Sequence, residues 1–134
     1  MAGLSIRVDG LAELNAKLTN FPRIAIPIVN KAIKNSVYLI LRKTTPLTPV
    51  DTGILKNSLT ASPRFSNLFG ELGSNVEYAQ AVHDMHPAGQ RYLNPSKNKQ
   101  AVAGFLTMGV KKSETEVDRE FKMALDKITR ELGD

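Results

Sequence analysis

Apolar positions along the chain change period several times, and each change marks an element. Leu4-Ser5-Ile6-Arg7-Val8 alternates apolar and polar, which predicts a short strand. Asp9-Gly10 is a turn signal. Leu11, Leu14 and Leu18 then recur at three and four residues, predicting a short helix from about 10 to 20 that Asn20, Phe21 and Pro22 break. A longer helix follows, with Pro22 and Pro27 near its start, where proline is tolerated. Ile26, Val29, Ile33, Val37 and Ile40 share one face of it, with Ala25, Ala32 and Leu41 beside them. Lys31, Lys34, Tyr38 and Arg42 lie on the other side, and the helix ends near Thr44, before Pro46.

Pro46 and Pro49 cannot continue that helix, because each lacks an N–H and biases the preceding residue away from helical geometry. Asp51 or Thr52 is placed to cap a new short helix over 52–59, and Gly53 permits a tight turn or a close approach. Residues 60–75 read as a hairpin, with Thr60 to Phe65 and Leu68 to Leu72 flanking Ser66-Asn67. Val76 to His83 fits a strand in part and a short helix better. Residues 84–100 form a long loop in which Arg91-Tyr92-Leu93 is an anchor; loops of this length are commonly functional or mobile. Ala101 to Val110 is apolar and is expected to be a strand against the hairpin. Ser113-Glu114-Thr115-Glu116 has the form of a capping box, so the last helix is expected to begin there, with Val117, Phe121, Ala124, Leu125, Ile128 and Leu132 as its buried stripe. The expected fold class is α+β, with a long N-terminal helix and a C-terminal amphipathic helix packed on a small, mainly antiparallel sheet. At 134 residues a single domain is expected.

Charge adds asymmetry to this picture. Residues 1–60 hold eight Lys and Arg against three Asp and Glu, whereas residues 61–134 hold ten of each, so the net charge of +5 belongs to the N-terminal half. Much of it lies on the Lys31, Lys34 and Arg42 face. That face serves either as solvated helix surface or as a contact for nucleic acid or an acidic protein surface. Along the chain, the aromatics are not interleaved with the basic residues as a stacking platform would need. There is no Cys, which excludes disulfides, thiolate zinc sites and cysteine nucleophiles. No apolar run approaches membrane-spanning length, and Arg7 and Asp9 interrupt any signal-peptide layout, so no membrane partner and synthesis in a cytoplasm are expected.

Candidate chemistry is sparse. His83-Asp84-Met85-His86 is the one constellation with metal-ligand spacing, and Glu77 would have to help complete it, since there is no further His. The alternative is that His83 packs at a helix end and His86 precedes Pro87 in a loop. Ser58 or Ser62 with His83, or Asp51 with Glu77 or Asp84, would be needed for nucleophilic or acid–base work, but nothing in the spacing sets their separation. The Gly70-to-Gly73 stretch lacks the Gly-Lys-Ser/Thr ending of a phosphate loop. No enzyme, cofactor or metal is expected.

Three blocks carry a resemblance. Pro49-Val50-Asp51-Thr52-Gly53-Ile54-Leu55-Lys56-Asn57-Ser58-Leu59, then Gly73-Ser74-Asn75-Val76-Glu77-Tyr78-Ala79, then Arg91-Tyr92-Leu93-Asn94-Pro95 resemble, in order and spacing, blocks of the tail-completion or head–tail joining proteins of lambda-like and related long-tailed bacteriophages. The residues matched are Pro49, Asp51, Thr52, Gly53, Leu55, Ser58, Tyr78, Ala79, Leu93 and Pro95. The triplet Asp51-Thr52-Gly53 also occurs in aspartic proteases, but there it has apolar strand flanks, and here Pro49 precedes it and a helical pattern follows. Where the family continues Tyr-Ala-x-x-Val-Glu-x-Gly-Thr, this chain has His83-Asp84-Met85-His86, so its loop after residue 83 differs in shape. The resemblance implies a structural virion protein at the junction of capsid neck and tail, present in the host cytoplasm during assembly. It implies a ring with the tail's sixfold symmetry, with a monomer as the alternative state when free, and contacts to tail terminator, tail tube and head connector; the basic helix face would then meet either an acidic neighbour or DNA in the channel. A small basic nucleic-acid-binding protein using the Lys31/Lys34/Arg42 face is the alternative expectation.

Overall fold

The computed structural model describes residues 3–8, 25–50, 53–92 and 98–132. The element order is β1 (Leu4–Val8), α1 (Ala25–Thr44), a 3-10 turn (Thr45–Leu47), α2 (Ile54–Thr60), β2 (Arg64–Ser66), β3 (Phe69–Ser74), α3 (Ala79–His83) and α4 (Phe105–Leu132). The architecture is α+β. The helix expected over 10–20 lies outside the described residues.

α1 is the central element. α4 lies along it, and the sheet packs on it chiefly through β3. The sheet has the antiparallel order β1-β3-β2, with Leu4 opposite Ser74, Ile6 opposite Leu72, and Phe65 opposite Gly70. Gly70 is needed where α1 crosses: a Cβ there would stand 2.8 Å from methyl groups of both Ile33 and Val37. The main core gathers Val37, Ile40 and Leu41 of α1 with Leu55, Leu59, Leu72, Ala79, Phe105 and Leu106, and with Leu4 and Ile6 partly buried against them. Val29, Ile33 and Ile128 form a second cluster toward the other end of the α1–α4 pair, with Phe121 partly buried against it. The periodicity of α1 is realised from Val29 onward: Val29, Ile33, Val37 and Ile40 are buried and Ile26 only half-buried, while Lys31, Lys34, Tyr38 and Arg42 are exposed. Lys43 reaches Glu116 at 3.2 Å, and the Asn35 amide donates to Glu120 at 3.2 Å, joining α1 to α4 at the surface. Exposed pairs of this kind contribute at most about 1 kcal/mol each.

The C-terminal region departs from expectation. Ala101 to Val110 is not a strand; Val102 makes only an isolated bridge to Arg91, and α4 begins at Phe105. Ser113 and Glu116 therefore lie inside the helix and do not cap it. Ser113 is fully buried and its hydroxyl donates to the Val110 carbonyl, one turn back. Much of the segment is apolar because Ala101 and residues 103–106 are buried, not because it alternates; Phe105 and Leu106 are both core residues, and Thr107 is exposed. Within the expected stripe, Ala124 and Ile128 are buried, but Leu125 is 46% exposed. The hairpin expected over 60–75 forms with its turn one residue later, at Asn67-Leu68, where Leu68 takes a left-handed φ of 58°. Asn30 of α1 holds that turn: its side-chain oxygen accepts from the Leu68 N–H at 2.7 Å.

Candidate functional site

The first two family-like blocks meet in space. The 3-10 turn after α1 is held by Thr48, whose buried hydroxyl donates to the Thr44 carbonyl at 3.0 Å, and Pro49 follows. Gly53, immediately before α2, has φ 88°, a left-handed conformation that suits glycine. Asp51 and Thr52, the expected caps, lie outside the described residues; the N-cap position falls instead on Gly53, which offers no side-chain hydrogen bond. Leu55 is buried in the main core. Ser58 lies one turn on; its hydroxyl is 2.7 Å from the Leu55 carbonyl, to which it donates, and 2.6 Å from the Ser74 hydroxyl at the end of β3. Ser74 in turn accepts from the Val76 N–H at 3.2 Å, turning the chain toward α3. Ser62 donates to the Leu59 carbonyl and accepts from the Gly73 N–H at 3.1 Å. These serines therefore tie α2 to the outgoing end of β3. Among the described residues, neither Ser58 nor Ser62 is hydrogen-bonded to His83; their partners are the Leu55 and Leu59 carbonyls, the Ser74 hydroxyl and the Gly73 N–H.

Tyr78 and Ala79 divide their roles. Ala79 starts α3 fully buried, and Tyr78 beside it is 45% exposed. The third block joins through Tyr92, whose hydroxyl donates to the Val82 carbonyl in α3 at 2.8 Å; Leu93 and Pro95 lie outside the described residues. The described parts of the long loop are bound to the body. Gly89 donates to the Ala103 carbonyl at 2.9 Å, and the Asn98 amide donates to the carbonyls of Pro46 and Thr48. Asn98 thus links this loop back to the turn before the first block, a role that its sequence surroundings did not signal.

Burial pushes the Tyr92 phenol up to about 12 from its ordinary 10.0. The folded state keeps this proton longer than the unfolded chain, so the associated stability is complete below about pH 10 and is lost as pH rises toward 12. Tyr92→Phe should cost about 1 kcal/mol at neutral pH through the lost hydrogen bond. The gap in melting temperature between the two proteins should then narrow through that alkaline window.

His83 is buried. Its ring meets Phe105 edge-on at 4.8 Å between centroids, and its Nδ1 lies 2.8 Å from the Asp84 carboxylate. His86 is instead beside the Tyr92 ring, at 5.9 Å. Glu77 is exposed. Among the described residues, no group of three or more His, Asp or Glu could hold a metal ion. The geometry of His83 is that of a core residue at a helix end.

Two concave surfaces accompany these elements. A cleft of about 220 Å³ opens beside the serines, with Arg64 and Glu71 at its wall. A groove of about 240 Å³ runs between α1 and α4, past Lys31, Asn35, Glu120, Met123 and Lys127. No described helix is long and apolar enough to cross a membrane.

Comparison with protein-family models, curated proteins and solved structures gave no match.

Proposed function

We propose that this protein is a structural component of a tailed-phage virion, acting as a ring subunit that completes the tail and joins it to the capsid neck. The observation that carries this reading is the knot formed by the three family-like blocks. Ser58 of the first block meets Ser74 of the second, Leu55 and Ala79 share the main core, and Tyr92 fastens the third block to α3. The blocks that resemble the tail-completion proteins are thus joined as one scaffold. The hydroxyls of Ser58, Ser74 and Tyr92 are engaged with backbone and with one another, which suits a shape-keeping role.

A closed ring needs two different, mutually complementary surfaces on each subunit, because its contacts run head to tail. β1 and β2 are the outer strands of the described sheet and differ in length and side chains, which supplies two unlike edges. The proposed assembly is a ring with the tail's sixfold symmetry, with tail terminator or tail tube on one side and the head connector on the other.

The test is electron microscopy of lysates from a phage lacking this gene. Full heads beside separate, normal-length tails are expected, and adding the purified protein should restore infectivity. Intact joined particles in that lysate would overturn the assignment.

A further inference from the structure

We propose that the exposed face of α1 binds single-stranded nucleic acid, with Tyr38 and Phe65 as its stacking platform and Lys34 and Arg42 as its phosphate contacts. This inference does not depend on the virion reading. Lys34, Tyr38 and Arg42 recur at four-residue steps and are all exposed. Phe65 comes from β2, far away in sequence, and is 39% exposed beside them. Its ring centroid lies 5.7 Å from that of Tyr38, tilted by 45°, and the Lys34 ammonium stands over it at 5.9 Å. The aromatic pair and the cations are therefore interleaved in space although they are separated along the chain.

The surroundings favour a polyanion. α1 contains no Asp or Glu, and neither does β2. The acids of α4 that reach toward α1 are engaged elsewhere, Glu116 by Lys43 and Glu120 by Asn35. Among the described residues, none forms an ion pair with Lys34 or Arg42. From the helical rise, the Cα atoms of Lys34 and Arg42 stand about 12 Å apart along the axis, with Tyr38 midway between them in sequence. An acidic protein surface would satisfy the charge but would make no use of the exposed rings. Unpaired bases would use both, since any base can stack on an aromatic face while its phosphates meet the flanking cations.

The experiment is fluorescence anisotropy of a labelled oligothymidylate with the full chain over a series of salt concentrations. Binding should weaken linearly in logarithmic terms with salt, and the double variant Lys34→Ala/Arg42→Ala should flatten that slope by about 1.4, at roughly 0.7 per phosphate contact on a single strand. Tyr38→Ala should weaken binding by roughly ten-fold at every salt concentration and leave the slope unchanged. Phe65→Leu keeps an apolar side chain on β2 and should give a smaller loss of the same kind. Circular dichroism should show all variants folded. Three results would overturn the proposal: no binding at low salt, an unchanged affinity in Tyr38→Ala, or equally tight binding of polyglutamate, which would assign the face to an acidic protein.

Discussion

Replacing Gly73 by alanine should detach β1 from the sheet. Gly73 sits opposite Ser5, and a Cβ at this position would point into the backbone of β1. It would overlap the Leu4 carbonyl oxygen and stand 2.7 Å from the Ser5 Cα and 2.9 Å from its Cβ. Main-chain atoms of a paired strand cannot rotate away as a flexible side chain can, so the strand must shift or leave. Overpacking a well-filled site costs about 1–3 kcal/mol when neighbours adjust. Here the upper end applies, because moving β1 also withdraws Leu4 and Ile6 from the main core. A loss of about 3 kcal/mol corresponds to a melting temperature roughly 10 °C lower for a chain of this size. Hydrogen exchange should then be fast across Leu4 to Val8 while the α1–α4 pair stays protected. A melting temperature within a degree or two of the parent would show that this strand is not rigidly held. Gly73 opens the second family-like block, so this result also bears on why that block starts with glycine.

Gly109→Ala should destabilise the pairing of the two long helices despite improving helix propensity. Two effects oppose each other. Alanine is favoured over glycine inside a helix by about 1 kcal/mol. Against that, Gly109 is buried where α4 meets the end of α1, and its added methyl would stand 2.9 Å from the Thr44 Cβ and 3.0 Å from the Thr44 Cα. The Thr44 hydroxyl, also in the way, can turn aside; the Cα cannot. With an overpacking cost of about 3 kcal/mol, the net loss should be about 2 kcal/mol, measured as a shift in the denaturant midpoint. Gly109→Leu should be worse than alanine, since the larger side chain has no space to enter. If alanine stabilised the protein, propensity would have won and the two helices would be separable by a few tenths of an ångström at little cost.

Gly73 stood out in the sequence only as the start of a family-like block, and Gly109 did not stand out at all; the close approaches that make both matter are tertiary, and the same division runs through the molecule. β1 and α1 were legible because each buries one side: strict alternation over Leu4 to Val8 and the three-to-four spacing from Val29 to Ile40 leave little choice of period. The hairpin was legible from its turn residues, although its turn falls one residue later than expected. The start of α4 was not. A mostly apolar segment with few polar positions shows no clear period, and Ala101 to Val110 satisfied a strand pattern as well as a helix, while Ser113-x-x-Glu116 offered an attractive but false start. Tertiary burial decided the matter, because Phe105 and Leu106 are needed in the core at the turn where α4 meets the loops.

The candidate sites divide in the same way. The sequence by itself determined which residues of α1 face solvent, that the net charge sits in the N-terminal half, and that no thiol chemistry is available. It also marked Gly53, Leu55 and Ser58 as one local unit with Ala79 as part of another. Only the tertiary structure joined those units through Ser58 and Ser74, and only it brought Phe65 beside Tyr38 and under Lys34. The physical reason is that periodicity reports the face an element presents, whereas the groups that share a face across elements depend on strand order and register. Here Phe65 opposite Gly70, with Gly70 against Ile33 and Val37, sets the sheet on α1 at the height where an exposed ring can reach the basic stripe.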